Sequence, residues 1–188
     1  MPDPAPETPH QGTAQPHDRE RLRAVLEEAI HDEYKARATY RQVIARFGPV
    51  RPFLPILASE QRHIEALTGL FRRHGLSVPA DDWEQRVTVP DSVQEACRGG
   101  VQGEIENAAL YDRLLEQSVA YPDVQRVLRN LRRASQENHL RAFQRCAERQ
   151  AGTGRTGHGR RHRGGRGSHA DGSAGSRGRG ADRLGCRG

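Results

Sequence analysis

One short pattern occurs twice in this chain: a glutamate, a tyrosine seven residues on, and then, in the following helical stretch, a histidine with a ligand-type residue three positions before it. The first copy is Glu33 and Tyr40 with Glu60-x-x-His63; the second is Glu104 and Tyr111 with Gln136-x-x-His139. Seven residues make two helical turns and three return nearly to the same face, so each copy reads as a helix pair with polar groups turned inward. Two such pairs form a four-helix bundle whose centre receives donor atoms from every helix, the construction used by metal-binding bundles. The first copy is complete, whereas the second has Gln136 where the first has Glu60.

Apolar periodicity supports the same architecture. A helix is expected over 18–47, where Leu22, Leu26, Ala29, Glu33, Ala36, Tyr40, Ile44 and Phe47 recur at three- and four-residue steps, and Gly48-Pro49 stops it. A second opens among Pro52 and Pro55, which a first turn tolerates, and ends at Gly75. Residues 76–90 read as a crossing connection around Trp83, too polar and too broken by proline for another long helix. Ser92-x-x-Glu95 has capping-box spacing and announces the third helix, in which Gly99, Gly100 and Gly103 imply a close backbone approach, a bend or a later start. The fourth runs from Pro122 to about 150, with Leu128, Leu131, Ser135, His139, Ala142, Phe143 and Cys146 facing in.

On these stripes Glu33, Glu60, His63, Glu104 and His139 stand where leucine is expected. A carboxylate inside a core is costly unless it is paired, protonated or bound to a cation. Glu60 and His63 share a face and can meet one ion, and mixed oxygen and nitrogen donors suit iron, manganese or zinc. Glu28, Glu65, Glu106 and Glu137 fall off the stripes and are expected to be solvated or paired with arginine. Three cysteines without a C-x-x-C exclude a zinc ribbon and a disulfide framework. Cys97, seven residues before Glu104, and Cys146, seven after His139, come to one level if the third and fourth helices are antiparallel. They read as two small buried hydrophobes, with a redox-responsive thiol pair as the alternative if their Cα atoms lie within about 7 Å.

The segments E33YKARATY40, A58SEQRHIEAL67, G103EIENAALY111 and S135QENHLRAF143 resemble the ferritin-like superfamily, in particular its rubrerythrin and bacterioferritin branch, and S59EQRHIEALTGLFRRHGL76 with ENHLRAF also resembles an uncharacterised bacterial family within it. The similarity covers about residues 20–147. It implies an all-α antiparallel bundle in which Glu33 and Glu104 are terminal ligands, Glu60 is a bridging carboxylate, His63 and His139 are histidine ligands, and Tyr40 and Tyr111 are hydrogen-bond partners behind them. It places the second bridging carboxylate at position 136, where this chain has an amide, so Gln136 is expected as a hydrogen-bonding neighbour. Glu137 would substitute only if the helix were locally wound differently, as at a π-bulge. The implied cofactor is iron, one or two ions, or else manganese or zinc, and any enzyme would be an iron- or manganese-dependent oxidoreductase acting on oxygen or peroxide. The alternative is a bundle that keeps the fold without the metal and acts through partners.

The ends differ from the middle. Residues 1–17 hold five prolines and read as a disordered lead-in; 18–150 form the bundle; 151–188 form a disordered Gly/Arg-rich tail. That tail carries nine arginines against Asp171 and Asp182, so it accounts for more than the whole formal charge of +6 and leaves the bundle near neutral. Clustered arginines attract phosphates, which makes weak, salt-sensitive, non-specific nucleic-acid binding the tail's expected partner chemistry. A homodimer is left open. With neither a signal segment nor an apolar run near 18 residues, no membrane partner is expected and the expected location is cytoplasmic.

Overall fold

The computed structural model describes residues 16–153, and every regular element in it is helical. The expected basic tail and its nucleic-acid role, and nearly all of the proline-rich lead-in, lie outside the described residues. Helix α1 (Pro16–Phe47) starts two residues earlier than its apolar stripe suggests and stops where Gly48 takes a φ of 81°, a left-handed cap that a side chain would strain. Helix α2 (Phe53–Arg73) ends in the same way at Gly75, with φ 61°. Helix α3 (Val93–Gln117) opens on the expected cap: the Ser92 hydroxyl accepts the Glu95 N–H at 3.1 Å, while the Glu95 carboxylate accepts the Asp91 N–H at 3.0 Å. The last rod begins with Pro122 as α4 (Pro122–Ala134), passes through a π-helical turn (Ser135–His139), and continues as α5 (Leu140–Thr153).

Side-chain pairs fix the directions of these rods. Arg19 reaches the Gly75 carbonyl at 2.7 Å and Arg37 reaches Gln61 at 2.7 Å, so α1 and α2 are antiparallel. Glu28 pairs with Arg113 and Asp32 with Asn107, so α1 and α3 are antiparallel as well. Helices α2 and α3 therefore run the same way, and the chain between them must travel the length of the bundle. It does so along α1: Tyr34 donates to the Pro79 carbonyl, Arg41 pairs with Glu84, and Arg46 donates to the Pro90 carbonyl. Midway, a 3-10 turn (Trp83–Gln85) presents the Trp83 indole to His31, and the Arg86 guanidinium lies 3.9 Å from its ring centroid.

The apolar interior falls into two clusters. One contains Leu22, Leu26, Ile30, Leu67, Phe71, Leu114 and Leu128; the other contains Tyr40, Val43, Phe53, Ile56, Cys97, Phe143 and Cys146. Each buried leucine or phenylalanine contributes about 1.5–3 kcal/mol of hydrophobic stabilisation. The inward acids and histidines of the four rods lie at the junction of the clusters, so this polar layer has apolar packing on both sides. The off-stripe acids behave as expected: Glu28 binds Arg113, Glu65 and Glu106 accept from glutamines, and Glu137 is exposed.

Candidate metal centre

Glu33 from α1, Glu60 and His63 from α2, Glu104 from α3 and His139 from the π-helical turn converge in that polar layer. The three carboxylates are 3%, 3% and 5% exposed, which is unusual for acids unless something positive compensates them. Their donor atoms form two sets, Glu33 with Glu60 and His63, and Glu60 with Glu104 and His139; within each set all lie within 4.8 Å of one another. Glu60 belongs to both. Its Oε2 lies 2.8 Å from His63 Nδ1 and its Oε1 3.3 Å from His139 Nδ1, while Glu33 Oε2 completes the first set at 3.1 Å and Glu104 Oε1 the second at 3.5 Å. The two imidazoles face each other with centroids 5.7 Å apart.

The tyrosines serve the opposite halves of the repeat. Tyr40, on the helix of Glu33, donates to Glu104 Oε1 at 3.4 Å; Tyr111, on the helix of Glu104, donates to Glu33 Oε1. Burial pushes both phenols well above their ordinary range, with neighbouring carboxylates adding to the effect, so they remain donors. Ser59 caps the arrangement by bonding His63 Nε2 at 3.2 Å, which leaves Nδ1 turned to the carboxylates.

The electrostatics are those of acids and imidazoles forced together. Burial, followed by the adjacent Glu60 charge, raises Glu33 well above the carboxylate range. Burial opposes ionisation of Glu60 too, but hydrogen bonds from His139 and His63 more than offset it and hold its carboxyl below the usual range. Burial works against a charge on either imidazole, yet bonds from Glu33 and Glu60 raise His63 to about 10, and bonds from Glu104 and Glu60 raise His139 to about 9. Without a metal, protons hold this centre together. A divalent cation would replace them.

The second half departs from its expected geometry, and the π-helical turn is the reason. With about 4.4 residues per turn, residues four apart align and the position three before a histidine is rotated off the face. Ser135 is therefore the residue buried beside His139, and its hydroxyl donates to Glu104 Oε2. Gln136 swings aside and donates to the Glu104 backbone carbonyl at 2.7 Å. It supports the main chain at Glu104 rather than facing the centre, and Glu137 remains exposed despite the π turn. Ser135 lies on the inward stripe of the sequence, whereas the x-x spacing before His139 points to its neighbour. Asp32 and Asn107, bonded to each other across α1 and α3 beside the centre, carry no motif signal beyond adjacency to Glu33 and Glu104; burial raises Asp32 to about 6, against the lowering effect of the Asn107 bond.

A cavity of about 250 Å³ contains the centre: the five donor residues line it together with Ser135, Asp32, Asn107 and the α3 glycines Gly99, Gly100 and Gly103. Cys97 and Cys146 join α3 to α5 at the end of the bundle beyond it as a disulfide with Cα atoms 5.8 Å apart. The reading of two independent small hydrophobes thus gives way to a covalent pair.

These donors fit a transition metal: oxygen and nitrogen atoms of buried side chains, a carboxylate shared between two sets, and phenols orienting the acids from behind. No family model matches the chain, and no curated protein does. Among solved structures it is similar to a crystal structure described as ferritin-like, diiron-carboxylate proteins from Bacillus anthracis strain Ames, at 22% identity and a TM-score of 0.58, covering 71% of this chain and 99% of that one. The long connection between two parallel middle helices and this likeness show the same thing, an antiparallel bundle of ferritin-like fold.

Proposed function

We propose that this ferritin-like bundle binds transition-metal ions, iron foremost, one in each of the two donor sets, and uses them in redox chemistry toward oxygen or peroxide. The observation that carries the reading is the divided carboxylate of Glu60, one oxygen toward His63 and the other toward His139, as a bridge between two cations requires. The description of the similar bacterial structure as a diiron-carboxylate protein supports iron. Glu33 and His63 would hold one ion with Glu60, and Glu104 and His139 the other. Bound iron would supply one-electron steps toward oxygen that the side chains cannot supply themselves. The chain contributes orientation through Tyr40, Tyr111 and Ser135, and it holds protons at His63 and His139 that must leave on loading.

Metal analysis of the purified protein tests this, together with ferrous oxidation under air. Glu60→Ala is expected to lose both ions, while His63→Ala and His139→Ala each lose the ion of their own set. Undiminished metal content in Glu60→Ala would falsify the reading.

A further inference from the structure

Reducing a hydroperoxide takes two electrons, and among the described residues one pair of side chains can release two reversibly, Cys97 and Cys146, as dithiol to disulfide. The pair is tied to the centre along two helices. Cys97 precedes Glu104 by seven residues on α3, and Cys146 follows His139 by seven on the last rod, so each lies two helical turns, about 10 Å along the axis, from a donor residue. Both cysteines belong to the buried cluster that contains Tyr40, Phe53 and Phe143. The Tyr40 ring lies 5.4 Å from that of Phe143, and its hydroxyl donates to Glu104 Oε1 at 3.4 Å. Packed side chains therefore run from the sulfurs to the centre, over a separation that electrons cross by tunnelling.

Cys97 is 0% and Cys146 1% exposed. Peroxide oxidises a thiol through contact with its thiolate, and an apolar interior excludes both the oxidant and the charge. The direct route is closed to this pair, and the route by way of the centre is open. The surroundings also provide for the reduced state. Cys146 Sγ lies 3.7 Å from the Arg51 carbonyl, and the residue four further on, whose N–H would ordinarily bond that carbonyl as α2 begins, is Pro55. A disulfide sulfur has no proton to donate there, whereas the thiol has one.

We propose that Cys97 and Cys146 hold an electron pair for the metal centre and deliver it to a hydroperoxide bound there. Two S–H bonds and the O–O bond break, an S–S bond forms, and the two electrons and two protons given up at sulfur leave with the peroxide oxygens as an alcohol and water, or as two waters from hydrogen peroxide. The electrons pass by way of the bound ions; the protons are released to solvent at the exposed Arg51 turn and taken up from it at the cavity. The disulfide is then the spent form. This assignment rests on the metal-binding reading above.

The test uses the full-length protein carrying Cys186→Ser, which removes the third thiol. It is reduced, freed of reductant, loaded with Fe(II) without air, its iron content measured, and given one equivalent of hydrogen peroxide. Samples are alkylated in denaturant at intervals, and the remaining thiols are counted by mass spectrometry. The Cys97–Cys146 bond should close at least tenfold faster than in the same protein without iron, or in Glu60→Ala given the same iron. Ferrous iron should be recovered undiminished until the thiols are spent, whereas Cys97→Ser/Cys146→Ser should lose it to the first equivalent. Iron-loaded protein whose thiols survive, or close no faster than in the controls, overturns the proposal alone. So does iron uptake confined to the oxidised protein, which would make the bond a structural staple only. Protein that takes up no iron in either state overturns the metal-binding reading with it, and the iron content tells these failures apart.

Discussion

Three glycines within five residues of α3 have different jobs, and the difference is measurable. A Cβ at Gly100 would lie 2.5 Å from the ring of Phe143, which is itself wedged between Tyr40 and Phe53 with centroids 5.4 Å away on each side, so it cannot yield. Gly100→Ala is expected to lower stability by about 1–3 kcal/mol through overpacking. Gly99→Ala and Gly103→Ala meet open space and should raise it by up to about 1 kcal/mol through helix propensity. Urea midpoints decide the matter; three equal shifts would contradict the packing described. The tyrosines act at the same scale: Tyr111→Phe removes the donor from Glu33 and Tyr40→Phe removes it from Glu104. Each should weaken metal at its own set by about 10–100-fold in a chelator competition.

Among the elements, the four rods were legible because each has an apolar stripe, a start and a stop: Ser92 and Glu95 before α3, Pro122 opening α4, and Gly48 and Gly75 closing α1 and α2. The π-helical turn was not, because one extra residue leaves the pattern intact on both sides of it. Its trace in the sequence is the run Leu131, Ser135, His139, Phe143, all in steps of four, each of which overshoots a straight α-helical face by about 40°. In an ordinary helix that stretch would bring Gln136 to the centre; wound as it is, it brings Ser135. The carboxylates and imidazoles themselves were legible from burial chemistry alone, since a core position occupied by glutamate demands a partner. Deleting the exposed Glu137 should convert the wide turn to an α-turn and preserve the register of α5, so that the Cys97–Cys146 bond still forms. Deleting the exposed Asn130 should instead rotate the remainder of the rod by about 100° and abolish the bond. Mass spectrometry of the unreduced proteins checks both, and a crosslink retained equally in the two would count against the wide turn.

At the scale of the whole molecule, the proposed metal would compete with protons for one centre. His63 and His139 titrate in the metal-free fold at about 10 and about 9, raised from 6.5. Raised values mean stability that is fully present below pH 6.5 and is lost as pH climbs through 9 to 10; Glu33, also raised, loses its contribution in the same direction. Metal binding has the opposite dependence, because each imidazole must first release its proton. The melting temperature of metal-free protein should therefore fall between pH 7 and 10, while protein held with free metal at 100 times its dissociation constant should be more stable by about 2.7 kcal/mol for each occupied site at a given pH. Proton release on loading, monitored in a pH-stat, should accompany the gain. The exchange of phenols between the halves has a consequence for the chain's divisibility. A hairpin of α1 and α2 cut free would carry Glu33 with His63 but without Tyr111, and its counterpart would carry Glu104 with Ser135 but without Tyr40, so each acid would lose the phenol that bonds it from the other half. The smallest autonomous unit is two hairpins docked face to face, and any single-repeat version of this protein would have to work as a pair of identical copies.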